Sequence, residues 1–402
     1  MPEVAAGPLA GIRVIELATT FMGPYCAMQM ARLGADVIKV EDLGGDLVRG
    51  ISDSRGDGLG PIFIAANHGK RSISINLKKP EGLKALLALI ASADVFVTNM
   101  RPDALDRLGV TDEAIHSANP AVIYASLVGF GAGGEYAGLA AYDDVIQGVS
   151  GLAAVQGGTG APAYVKAAVG DKIVGIMAMN GILAALLNRA KTGEGATVTV
   201  PMFESMAAFN LLDHQGGYIY EPPRGPTGYS RHASPFRKPY ATSDGYLGVV
   251  VYTDRMWLAF FDLIGQPELA ENPRYRTIKE RTENIDELYE LVEIELAKKP
   301  SAYWLDTLKA HGIPAVPINT MESLMTDPHL TEVGFFQEID HPVAGHIRLP
   351  RYPASFSTGL PDELRPAPQL AQHSREVLLE AGLDEAAIDG LIEAGTVGSR
   401  DS

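Results

Sequence analysis

The stretch from Ile12 to Val40 narrows what this chain can fold into more than any other. An apolar run, Ile12 to Leu17, follows Gly11 and has the character of a buried strand. Gly23-Pro24 then opens a helical stretch through Arg32, and Gly34 stands just past its end, where glycine is favoured. Asp36 to Val40 supplies a second strand. A strand–helix–strand unit needs a crossover, and right-handed crossovers put both strands into one parallel sheet. The alternation continues with Ser72 to Leu77 as strand, Pro80 to Ala91 as helix and Asp94 to Thr98 as strand. A helix-rich segment from Ala104 to Ser117 precedes the strand Val122 to Val128. Lys172 to Arg189 reads as a long apolar helix, and Thr197 to Val200 as a strand beyond the turn Thr192-Gly193-Glu194-Gly195.

The pattern changes near Tyr218. Glu221 to Tyr240 holds five prolines, two glycines and several basic residues, the composition of a linker or loop. Strand signals follow from Leu247 to Tyr252, then helices around Trp257, from Asn284 to Lys298 and from Ala302 to His311. At 402 residues the chain suits more than one domain. The expected division is a large α/β domain over 1–220, a small α+β domain over 225–330, and a segment 335–402 returning to the large domain. In that last segment a Pro-rich stretch, Pro350 to Pro368, precedes two amphipathic helices, Glu376 to Glu380 and Ala386 to Glu393.

Charge excludes some functions. The formal net charge of −16 lacks the broad positive field that nucleic acid or an anionic membrane surface requires, although local Lys and Arg residues can still hold a small anion. The single cysteine, Cys26, forbids an intrachain disulfide and sits in an apolar helix, as a buried small hydrophobe would. Met1 to Pro8 lacks the basic and apolar regions of a secretory signal. The apolar run Ile176 to Leu187 contains Asn180, ends near Arg189 and is too short to span a bilayer. A cytoplasmic protein is expected.

Several motifs fail on inspection. Gly129-Phe130-Gly131-Ala132-Gly133-Gly134 satisfies G-x-G-x-x-G after a strand, but the last glycines open a further loop, with helix signals resuming only at Asp143. There is no P-loop and no G-x-S-x-G, and the nine histidines are scattered without ligand spacing, so no metal site is expected. What remains is Asp171, at the junction of a Gly/Ala-rich loop and the helix beginning at Lys172. It has two readings. Asp is a preferred N-cap, and capping alone explains the position. A carboxylate there would also be exposed beside free helix N–H groups that stabilise negative charge, with Gly170 permitting close approach of a substrate. Basic residues recur beside strand ends: Lys39, Lys70-Arg71, Lys78-Lys79, Arg101 and Arg107. An anionic phosphate ligand at the sheet's edge would need such residues.

Leu9 to Leu17, Gly23-Pro24, Leu33 to Glu41 with Gly45-Asp46, Asn67 with Lys70-Arg71-Ser72, and Leu105-Asp106-Arg107-Leu108-Gly109 together resemble the family III (CaiB/BaiF-like) coenzyme A transferases. Ala141-Tyr142-Asp143, Gly170-Asp171 with Gly175, and Lys191 to Gly195 resemble that family's catalytic block. The resemblance implies a Rossmann-like large domain from N- and C-terminal segments, a smaller α+β domain, and an interlocked homodimer. It implies no tightly bound cofactor, with a CoA thioester as substrate. Asp171 becomes the expected nucleophile, passing CoA from an acyl-CoA donor to a carboxylate acceptor through an aspartyl anhydride and an aspartyl-CoA thioester. Phe21, Met22, Lys39, Ile75, Lys78, Asn99, Met100, Arg101, Arg107, Tyr142 and Asp143 are the expected CoA contacts. Three departures stand out: Asp42 occupies a position where the family often carries arginine, Ala140 one where some members carry lysine, and no glycine run like that of formyl-CoA transferases appears in Tyr229 to Asp244. In its place stand Arg224, Arg231, His232, Arg237 and Lys238, which are either an exposed linker or a contact for the acceptor's carboxylate, a dicarboxylate being one candidate. The rivals are an α-methylacyl-CoA racemase, disfavoured because Ala141-Tyr142-Asp143-Asp144 lacks the histidine base, and a non-catalytic CoA-binding protein.

Overall fold

A computed structural model describes residues 7–361 and 365–400. Most of the Met1 to Pro8 stretch, and three residues of the Pro350 to Pro368 stretch, lie outside the described residues. The protein is mixed α/β. Its main sheet has seven strands: β1 (Arg13–Leu17), β2 (Asp36–Glu41), β3 (Lys70–Ile75), β4 (Val95–Thr98), β5 (Ile123–Val128), β6 (Ala196–Pro201) and β12 (Val397–Gly398). Their order is β12-β3-β2-β1-β4-β5-β6. All pairs are parallel except β12–β3, where Val397 opposes Ile75. The direction of winding reverses between β1 and β4, so a crevice opens at their carboxyl ends, where open α/β sheets collect ligands.

Helices cover both faces. On one, α1 (Met22–Arg32) packs against the 24-residue α5 (Val169–Thr192). On the other, α2 (Pro80–Ala91) and α3 (Asp112–Ala118) join the C-terminal helices Ser374–Glu380 and Glu385–Glu393. Ile15, Ile38, Ile73, Leu86, Phe96, Val377 and Ile388 meet there in one core. Parallel strands covered on both faces are largely apolar rather than alternating, as in β4 and β5, while β1 interrupts its apolar residues with the buried Glu16. Arg71 ties the returning segment down, pairing with Asp36, Glu376 and Glu380. A hairpin, β10 (Phe336–His341) with β11 (Gly345–Pro350), was not foreseen from the sequence, and neither was β12.

Two compact units divide the chain. One comprises Met1–Gly151, Tyr164–Phe209 and Gly334–Ser402; the other comprises Leu152–Ala163 and Asn210–Val333. The second has a three-stranded antiparallel sheet, β7 (Tyr240–Ala241), β8 (Tyr246–Val249) and β9 (Ala315–Pro317). Helices Asp254–Leu263, Ile285–Leu296 and Ser301–Ala310 enclose its core of Trp257, Phe260, Leu288 and Trp304.

The length argument made for Ile176 to Leu187 does not hold. The helix α5 that contains it is long and apolar enough, by length and composition, to cross a membrane. It buries Val174, Ala178, Met179, Ile182 and Leu186, a stripe at helical spacing that packs inside the α/β unit.

Candidate active site

The helix carrying Asp171 begins earlier than expected. Ala168 is the N-cap of α5 and has no side-chain cap, so Val169, Gly170 and Asp171 form the first turn. Asp171 is therefore not a capping residue. That task falls to Asp143, the first residue of α4 (Asp143–Val149), whose Oδ1 accepts the Asp171 N–H at 2.9 Å. Taking the N–H of the third helical residue is what an N-cap side chain ordinarily does. Gly170 serves this contact: a methyl there would stand 3.1 Å from Asp143 Oδ1. The glycine thus admits a protein carboxylate.

Asp143 is itself held. Its Oδ2 accepts from Gln147 Nε2 at 2.6 Å, and Gln147 Oε1 accepts the Val165 N–H at 2.8 Å. Gln147 is fully buried. The Asp171 carboxylate, by contrast, has no hydrogen bond among the described residues and is pushed up to about 7, first by burial and then by the charge of Asp143, with Lys172 opposing. A carboxylate so raised is a better nucleophile and still ionises near neutral pH.

The start of α1 lies against this helix. Gly175, one turn beyond Asp171, lacks a Cβ that would stand 2.9 Å from Met22 O. Phe21 and Met22 follow the β1 loop, and that loop is clamped from both neighbouring strands. Asn99, just past β4, accepts the Thr19 N–H at 3.0 Å and donates to Thr19 O at 2.8 Å. Asp46, after β2, accepts the Thr20 N–H at 3.2 Å, holding Thr20 at a φ of 71°, a strained value for a β-branched residue. Phe21, Met22, Asn99 and Met100 are thereby gathered at the β1/β4 crevice. Arg101, the N-cap of the helix Pro102–Leu108, and Arg107, in its last turn, are exposed beside Asp103, and Lys78 is exposed beyond the end of β3.

Other expected contacts are placed differently. Lys39 is fully buried and bonds Glu16 at 3.1 Å, Asp46 at 2.8 Å and the Ala18 carbonyl at 2.8 Å. Lys70 is equally buried, 2.6 Å from Glu16. Two lysines and two carboxylates thus neutralise one another beneath the β1 loop, and Lys39 has no surface with which to meet a phosphate. Arg71 is likewise spent on its three carboxylates. Ile75 is in the core, 1% exposed, and is paired with Val397 of β12, so it offers a ligand no surface. Asp143 is a positioning group with its oxygens engaged, whereas its neighbour Tyr142 is 70% exposed. Cys26 is buried and its thiol is pushed up to about 12 by burial and by Glu16, which makes it inert. The glycine-rich loop does not open a helix, and Gly131 N–H donates to Glu204 at 2.9 Å.

One group of metal-type ligands was not visible in the sequence: the donor atoms of Asp213, His214 and His232 lie within 4.8 Å of one another. Asp213 and His232 already bond at 2.9 Å, and burial, with the nearby Arg237 charge adding to it, lowers the proton affinity of His232. The same positive charge opposes a cation there.

Comparison with known proteins identifies the family. Residues 9–374 match CoA-transferase family III. Succinyl-CoA:glutarate CoA-transferase of Mus musculus is 31% identical over 395 residues, covering 97% of this chain and 90% of that protein. Formyl-CoA:oxalate CoA-transferase of Escherichia coli is 33% identical over 409 residues, covering 95% and 97%. A CaiB/BaiF family protein from Brucella suis has a crystal structure that superposes with a TM-score of 0.76 at 31% identity, covering 94% of this chain and all of that one. The chain belongs to CoA-transferase family III and is a CoA-transferase.

Proposed function

We propose that the protein moves CoA from an acyl-CoA thioester to a carboxylic acid, with Asp171 as the covalent nucleophile. The observation that carries this reading is the Asp171 carboxylate itself: raised to about 7, free of hydrogen bonds among the described residues, and one helical turn from the packing of α1 on Gly175. An Asp171 oxygen attacks the donor's thioester carbon, and the C–S bond breaks. This leaves an acyl–aspartyl anhydride and CoA thiolate, a tolerable leaving group because a free thiol has a pKa of about 8.5. The thiolate attacks Cγ of Asp171, releasing the donor's acid and forming an aspartyl-CoA thioester. The acceptor carboxylate attacks the same carbon and expels the thiolate, which then takes the acceptor's acyl carbon and frees Asp171. Each bond broken is replaced by one of similar energy, so the activated acyl group survives if water is kept out.

Phe21, Met22, Asn99 and Met100 at the crevice, with Lys78, Arg101, Arg107 and Tyr142 beyond it, form the CoA-facing set in this reading. The names of the relatives point to short dicarboxylic acids, and succinyl-CoA with glutarate is the pair to test first. A homodimer fits the exposure of Ile176 and Leu187 on α5 and of Leu212, which is 90% exposed. The test is a matrix of acyl-CoA donors against carboxylic acids read by mass spectrometry, with hydroxylamine or borohydride trapping at Asp171 after acyl-CoA alone. Exchange without a trapped Asp171 adduct, or exchange retained in Asp171→Ala, defeats the mechanism.

A further inference from the structure

The second unit contains a cationic cavity of about 310 Å³, walled by Tyr229, Arg231, His232, Arg237, Tyr252 and Tyr289. Arg231 is its unusual member. In sequence it belongs to a Pro-rich, linker-like stretch, yet it is 4% exposed. Its guanidinium lies over the Tyr252 ring at 4.5 Å, and Nη2 donates to the Tyr289 hydroxyl at 2.8 Å. Nη1 is buried with no hydrogen-bond partner, and no carboxylate pairs with Arg231 among the described residues. The other charges nearby are accounted for: Lys238 pairs with Glu293 at 2.8 Å, and His232 with Asp213 at 2.9 Å. Arg231 and the exposed Arg237 are left uncompensated.

A guanidinium withdrawn from water without an anion is strongly unfavourable, and the ordinary remedy is a counter-ion that completes its hydrogen bonds. The shape of the cavity selects among anions. A buried, planar guanidinium short of one hydrogen-bond partner suits a carboxylate, and the tyrosine walls suit a short carbon chain better than a fully hydrated phosphate. We propose that this cavity is a carboxylate subsite, in which the Arg231 guanidinium donates to a carboxylate of the acid substrate and Arg237 adds a second positive charge. The assignment rests on the reading of the protein as a transferase that takes carboxylic acids.

The test separates binding from turnover. In Asp171→Asn protein, which cannot exchange CoA on that reading, calorimetry and thermal shift are run with oxalate, succinate and glutarate, with inorganic phosphate as the control. At least one of the acids binds and raises the melting temperature, Arg231→Gln abolishes that response, and Arg231→Lys restores part of it. With Asp171 intact, Arg231→Gln raises the KM for the acid by roughly tenfold or more and leaves the KM for acyl-CoA unchanged. Should Arg231→Gln fail to fold, Arg237→Gln, at an exposed position, carries the test through a weaker rise in the same KM. Acid binding and KM unchanged in the variants, no response to any of the three acids, or an Arg231-dependent response to phosphate alone would each overturn the subsite. Acid binding that depends on Arg231 in a wild-type protein unable to exchange CoA would leave the subsite standing and remove the transferase reading.

Discussion

Asp143 caps the helix that presents Asp171: its Oδ1 accepts the Asp171 N–H at 2.9 Å, and its charge adds to the burial that raises the Asp171 carboxylate above the ordinary range. One contact therefore does two things. It fixes where the Asp171 backbone lies, and it contributes to the pH at which the Asp171 carboxylate ionises. The proposed attack on the thioester needs the ionised form, so on that reading kcat/KM rises with pH through about 7 and levels above it.

Asp143→Asn keeps an oxygen for the Asp171 N–H and removes the charge. The acid limb of kcat/KM moves to lower pH, only in part because burial is the larger cause of the shift. A pH–rate profile of the two proteins checks this. An unmoved limb would mean that the Asp143 charge does not reach Asp171.

Asp171→Asn removes turnover, by on the order of a thousandfold or more. It also stabilises the protein, with a defined pH dependence. Because the folded state holds the Asp171 proton more tightly than the unfolded chain, stability falls as pH rises from about 4 through about 7 and the penalty is complete above that. The variant escapes the penalty, so its melting temperature exceeds that of wild type at pH 8 by the equivalent of about 1–3 kcal/mol after allowing for solvent screening, and matches it near pH 4. Thermal unfolding at the two pH values measures the difference.

Lys39→Met and Lys78→Ala distinguish scaffold from ligand. Lys39 is one of four mutually neutralising buried groups, and its loss leaves Glu16 and Asp46 short of a counter-charge, destabilising the fold by about 3–5 kcal/mol. Lys78 is exposed; Lys78→Ala leaves stability within about 0.5 kcal/mol of wild type and raises the KM for acyl-CoA. Denaturant titration and steady-state kinetics on both variants settle the contrast.

Gly175→Ala places a Cβ about 2.9 Å from Met22 O, a backbone atom that can yield only by moving α1. The expected outcome is a loss of about 1–3 kcal/mol and a higher KM for acyl-CoA, as Phe21 and Met22 shift. Unchanged kinetics in a destabilised variant would remove the start of α1 from the CoA-facing set.

Much of the α/β framework was legible because its strands are buried on both faces and its helices carry apolar stripes. The period of the sequence reports both directly. The start of α5 was not legible: Val169 and Gly170 are weak helix signals, and the helix forms there because Asp143, from another element, takes the third N–H. Strand β12 is only Val397–Gly398, too short to declare itself without β3 beside it. A lysine at a strand end reads the same whether it faces solvent or a buried carboxylate. Lys39 and Lys78 therefore looked alike until the partners Glu16 and Asp46 were in view.

The order of strands and helices, the position of Asp171 near a helix start and the acidic overall charge follow from the chain's own residues, because each depends on neighbours in sequence. Which carboxylate caps the helix and which is left without a hydrogen bond, which cations are scaffold and which are exposed, and that Arg231 is buried beside a cavity depend on residues tens to hundreds of positions apart. Those were decided only in the tertiary structure, where burial removes water and leaves each charge to whatever partner the fold brings to it.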